Sequence, residues 1–172
     1  MRLRHPHPDA SPPSPGPEPV GAGSRLNLLL ARSRGTGDGS AFERIPALLE
    51  PLGVRSIATE SGEDAADLIR REPVHVAVID WSVPLRAGDP TAGPAGARLL
   101  QLLRRLNPSP PAIVIRPRQA VSRERVRGLH EALREGAFTV LDQPLDRETL
   151  LEVLRRVLMR HYQGHWPSRS SS

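Results

Sequence analysis

Residues 74–85 read VHVAVIDWSVPL. The stretch 74–79 is apolar except for His75, climbs to a single acid, Asp80, and is followed by Pro84. A strand that is apolar at successive positions has to be covered on both faces, because neighbouring side chains point to opposite sides of a sheet. That requirement points to a parallel sheet held between layers of helix.

The rest of the chain repeats the theme. Short apolar runs at 26–31, 54–58, 112–115 and 139–141 read as four more strands. Between them the apolar period becomes helical. Ser40, with Glu43 three residues on, predicts the cap of a first helix carrying Ile45, Leu48 and Leu49 toward Gly53. Pro46 falls inside that segment, so the helix is expected to start at Ile45 or to kink. Ser61 predicts the cap of a second helix, with Ala65, Leu68 and Ile69 inward. A Gly/Pro loop covers 86–95, and Leu99, Leu100, Leu102, Leu103 and Leu106 mark a third helix. A fourth spans 122–135 and stops at Gly136. Asp146 caps a fifth, with the stripe Leu150, Leu151, Val153, Leu154, Val157 and Leu158. Five strands alternating with five helices predict an α/β domain with a doubly wound parallel sheet.

The chain has 172 residues, and its hydrophobic fraction of 38% is lowered by polar ends. Residues 1–24 are Pro, Ser, Gly and His with almost no large apolar side chain, so a disordered Pro-rich arm is expected there. One folded domain is expected over 25–162, and a second disordered tail over 163–172. No apolar run approaches the roughly 18 residues of a membrane span, and no secretory signal opens the chain. There is no cysteine, which removes disulfides, thiolate metal sites and Cys nucleophiles. These features together fit a cytoplasmic protein. All 24 basic residues are arginine, in a chain of net charge +5. No P-loop or Schiff-base lysine can therefore exist. Mixed with acids at helical spacing, the arginines read as solvated faces, and nucleic acid is not expected as a partner.

The run up to Asp80, the Pro at 84 and the segment REGAFTVLDQP (134–144), a helix end, a Gly, a strand and a polar-Pro step, together resemble the receiver domain of two-component response regulators. The resemblance covers about 25–162. It implies a flavodoxin-like (βα)5 fold with strand order 2-1-3-4-5, phosphorelay signalling, a histidine kinase or other signalling protein as partner, and a module that is not an enzyme. It also implies a docking or homodimer face on the fourth helix, fifth strand and fifth helix. Ten residues follow Tyr162, too few for a DNA-binding module, so a stand-alone receiver is expected.

In such folds the working crevice lies beyond the carboxyl ends of the strands. Receivers place there an acidic pair that helps hold Mg²⁺, a phosphoacceptor Asp, a Thr or Ser, and a Lys before Pro. Here the matching positions are Ala31 and Arg32, Asp80, Arg116, and Gln143 with Pro144. Only Asp80, as phosphoacceptor, and Pro144 agree with the pattern. A degenerate receiver is therefore expected, phosphorylated weakly or not at all and acting by protein contact. No catalytic residue, metal ligand set or cofactor is expected, and Mg²⁺ is disfavoured because Asp80 lacks carboxylate neighbours. Asp38 is a candidate second carboxylate. Arg32 and Arg116 flank Asp80, and either an ion pair locking it or two solvated arginines above a capped turn is consistent with the sequence.

A second function class rests on Gly35-Thr36-Gly37-Asp38-Gly39-Ser40, which lies where a dinucleotide fingerprint would lie. Ser40 replaces its last Gly, and Glu60 is the candidate ribose ligand. His5, His7, His75, His130, His161 and His165 show no metal-ligand spacing.

Overall fold

A computed structural model describes residues 26–34, 41–89, 91–117 and 122–162. The arm 1–24, the tail from 163 on, the Gly loop 35–40 with Asp38 and the Ser40 cap lie outside these residues. The strands are β1 (Leu26–Ala31), β2 (Val54–Thr59), β3 (Val76–Asp80), β4 (Ala112–Arg116) and β5 (Thr139–Asp142). The helices are α1 (Ala41–Leu49), α2 (Gly62–Arg71), α3 (Gly96–Arg104), α4 (Ser122–Arg134) and α5 (Arg147–Tyr162). All strand pairs are parallel, and the sheet order is β2-β1-β3-β4-β5, the order implied by the resemblance.

The central strands β1, β3 and β4 are buried along their whole length, whereas edge strands β2 and β5 are partly open. Alternation along the strands splits the interior into two cores. Leu28, Leu30, Val76, Val78, Ile113 and Ile115 face α1 and α5. Leu29, Ala31, Ala77, Ile79, Ala112 and Val114 face the layer that supplies Ala65, Leu99 and Ala132. The continuous apolar character of β3 thus follows from its having a helix layer on each side.

Local signals fix most element ends. Ser61 Oγ accepts the Asp64 N–H at 3.1 Å, and Asp146 Oδ1 accepts the Thr149 N–H at 2.8 Å. The end of α4 is a Schellman turn. Gly136 takes φ +104°, its N–H bonds Leu133 O, and the Ala137 N–H bonds Ala132 O.

The first helix begins at Ala41, directly after the expected cap position, and holds Pro46 in its interior, so the alternative start at Ile45 is not the one taken. It then tightens into a 3-10 turn at Glu50–Leu52 before Gly53. The third strand begins at Val76 instead of Val74. The Asn27 N–H there is accepted by the His75 ring Nδ1, so a side chain takes a place the backbone ladder would hold. No helix among the described residues is long and apolar enough to cross a membrane.

Candidate functional site

The register Ala31↔Ile79, Asp80↔Ile115 and Arg116↔Asp142 brings the candidate residues to one edge of the sheet. Asp80, the last residue of β3, is fully buried, at 0% exposure. Its Oδ1 accepts the Ser82 N–H at 2.9 Å and the Ser82 hydroxyl at 2.6 Å. Its Oδ2 accepts the Ser33 N–H at 3.4 Å. The carboxylate therefore closes the turn after β3 and ties it to the end of β1. The turn is held further by Trp81 N–H to Ile115 O and Val83 N–H to Asp80 O.

Neither arginine meets Asp80. Among the described residues no arginine lies within ion-pair distance of it, so the Asp80 lock is replaced by other pairings. Arg32 turns toward acids of α1 and the β2 end, 3.9 Å from Glu43 and 3.7 Å from Glu60. Arg34 also bonds Glu60. Ala31 is buried and offers no ligand.

Arg116 is not solvated either. It is 2% exposed, and Asp142 Oδ1 accepts its Nε–H at 3.1 Å and its Nη2–H at 2.7 Å. Its guanidinium also lies beneath α4. A Cβ placed on Gly128 would sit 3.1 Å from Arg116 Nη1. Gln143 is half-buried, and its N–H bonds Arg116 O at 2.9 Å. Pro144 follows across a cis bond and is exposed. Sequence reading missed Asp142, Gly128, Ser33 and Ser82. Asp142 was within reach, because a shift-free pairing of the last two strands sets it beside Arg116.

The receiver pattern implies Mg²⁺, and the residues present do not fit it. Mg²⁺ requires hard oxygen ligands in an octahedron. The positions of the acidic pair hold a buried methyl group and a guanidinium, and Asp80 spends its oxygens on donors of its own chain. Among the described residues no cluster of three His, Cys, Asp or Glu side chains could hold a metal ion.

No family model matches the sequence, and no curated protein matches it. Solved structures do. The receiver domain protein of Methanospirillum hungatei superposes with TM-score 0.62 at 19% identity, over 83% of this chain and 100% of that one. The chain has the receiver fold. A chemotaxis response regulator of Vibrio cholerae gives TM-score 0.59 at 18% identity, covering 78% and 99% of the two chains. The receiver domain of a sensor histidine kinase from Pseudomonas aeruginosa, which carries a magnesium ion in its active-site cleft, gives 0.57 at 20% identity over 78% and 98%.

Proposed function

We propose that this chain is an atypical receiver module of two-component signalling, acting in the cytoplasm by protein–protein contact and not as an enzyme. Asp80 takes a phosphoryl group weakly or not at all. The observation that carries this reading is the state of the Asp80 carboxylate. It is buried, and both oxygens are already satisfied by Ser82 and Ser33. Phosphoryl transfer needs an accessible nucleophilic oxygen in line with the leaving group and a cation on the phosphoryl oxygens. An attacking Asp80 would have to give up its turn, and the nearest replacement for the usual acids, Arg32, is engaged with Glu43 and Glu60.

Partners in this reading are a histidine kinase or another signalling protein. Val126 and Leu133 on α4 and Met159 on α5 are large exposed apolar side chains on the helices that precede and follow β5, which supports a homodimer or docking face there. The test is incubation with acetyl phosphate and Mg²⁺ followed by intact mass. Little or no adduct is expected over the time in which an active receiver saturates. Rapid formation of a phosphoryl adduct that disappears in Asp80→Asn would overturn the proposal.

A further inference from the structure

The helix layer formed by α2 and α3 opens into a cavity of about 610 Å³ between the two helices. Its floor includes Leu85, Leu99, Leu102 and Ala66. Its two rims differ in charge balance. On the α2 side, Glu63 is paired with Arg86 at 2.9 Å and Asp67 with Arg70 at 2.5 Å. On the α3 side, Arg98 and Arg105 are exposed, and among the described residues neither has an ion-pair partner. Gln101 between them is bound to Glu135 at 2.9 Å. The groove thus has one neutralised rim, one cationic rim and an apolar floor.

We propose that this groove binds an acidic amphipathic helix of a partner protein. Arg98 lies in α3 and Arg105, seven residues on, is the C-cap of that helix in right-handed helical conformation, which sets the two on one side about 10.5 Å apart along the axis at 1.5 Å per residue. Leu102 lies between them, four residues after the first and three before the second. A helix laid along α3 with two carboxylates seven residues apart meets both guanidinium groups, and an apolar side chain midway falls on Leu102. A continuous polyanion such as RNA would also lay phosphates across the α2 rim, where Arg86 and Arg70 are already taken by Glu63 and Asp67. A partner helix can keep its carboxylates on the α3 side only.

The groove is also joined to the Asp80 edge. Leu85 belongs to the same loop as Ser82, and Pro84 O and Leu85 O accept the N–H groups of Gly62 and Glu63 at the start of α2. The loop that satisfies Asp80 therefore builds one end of the groove. The inference rests on the protein-binding reading above, but not on whether Asp80 is phosphorylated. The contact is small, so micromolar, transient binding is expected.

The test uses the full chain and a fluorescein-labelled helical peptide of about 18 residues, built from Glu, Leu and Ala with Glu seven apart and Leu midway. Saturable anisotropy is expected, with affinity falling about tenfold or more in the Arg98→Glu/Arg105→Glu double variant. Arg44→Glu/Arg55→Glu changes net charge equally on exposed positions of α1 and β2 and should leave affinity within about twofold. Far-UV circular dichroism confirms that both variants fold. Absence of saturable binding, or equal loss in both double variants, overturns the inference. So does a single-stranded RNA that displaces the peptide from the wild-type chain and itself needs Arg98 and Arg105. The acetyl phosphate assay is read separately, so an empty groove and a reactive Asp80 are distinguishable failures.

Discussion

Gly128 is the position where the buried arginine can be tested against a known helix preference. In an exposed helix interior, Gly→Ala stabilises by about 0.8–1 kcal/mol. At 128 the new Cβ would lie 3.1 Å from Arg116 Nη1. A long, solvated side chain would yield at no cost, but this guanidinium is 2% exposed and is held by two bonds to Asp142. Relief requires α4 to lift or those charge-assisted bonds to lengthen, and such bonds contribute roughly 1.5–3 kcal/mol each when intact. The loss should outweigh the propensity gain, so Gly128→Ala is expected to destabilise by about 1 kcal/mol. In an Arg116→Ala background the space beneath α4 is empty, and the same change should stabilise by about 1 kcal/mol. Urea denaturation followed by circular dichroism, with all four chains of the cycle, gives a coupling of about 2 kcal/mol. If Gly128→Ala shifts stability by the same amount in both backgrounds, to within about 0.3 kcal/mol, the guanidinium does not hold α4 against the sheet and the reasoning fails.

Arg116→Ala alone should destabilise by about 2–4 kcal/mol, because a large buried side chain is lost while Asp142, at 44% side-chain exposure, can return to water; chemical denaturation measures it. Ser61→Ala should cost about 1 kcal/mol by removing the acceptor of the Asp64 N–H, and hydrogen exchange should quicken at the start of α2 more than elsewhere. Burial holds the His75 ring below its ordinary pKa of 6.5, and its Nδ1 already accepts the Asn27 N–H. Above pH 6.5 the ring is neutral folded and unfolded, so it adds no pH dependence. As pH falls through 6.5 toward the lower folded value, the unfolded chain binds the proton first and stability drops. Urea midpoints measured between neutral and mildly acidic pH should fall less steeply in His75→Gln than in the wild type.

The fold was legible because its signals are local and mutually consistent. Continuous apolar character in β3, a Ser or Asp cap before α2 and α5, and a Gly at the end of α4 each act within a few residues, and each is present at the expected place. Where the reading left alternatives open or set a strand start too early, a longer-range contact decides. Pro46 is tolerated inside α1, whose Phe42 and Ile45 are buried in the core. At His75 the backbone N–H still bonds Asn27 O, but the return bond from the Asn27 N–H, 48 residues away, goes to the imidazole and not to a backbone carbonyl, and β3 is counted only from Val76.

The site was legible as an inventory but not as a set of pairs. Sequence order places Ala31, Arg32, Asp80, Arg116 and Gln143 at one edge, since each ends a strand or follows one. Which charge meets which depends on distances between strands and on what each neighbour already holds. Asp80 found donors within its own turn, Ser82 N–H and Oγ–H, and these lie closer along the chain than any arginine. Arg116 is on the strand next to Asp80, yet the strand on its other side ends in an acid directly opposite, Asp142. A buried guanidinium must be paired, and a carboxylate already saturated by its own backbone is the poorer of the two candidates. The Asp80 carboxylate and the Arg116 guanidinium thus each have their own partner. At the receiver positions of this edge, Ala31, Arg32, Arg116 and Gln143, a phosphoryl group arriving at Asp80 would find no hydroxyl, Lys or acid pair to read it. Among the described residues, the contacts through which a change of state at this edge can pass are those of Ser33 and Ser82 to Asp80, with the loop on to Leu85, and the seat of α4 on Arg116.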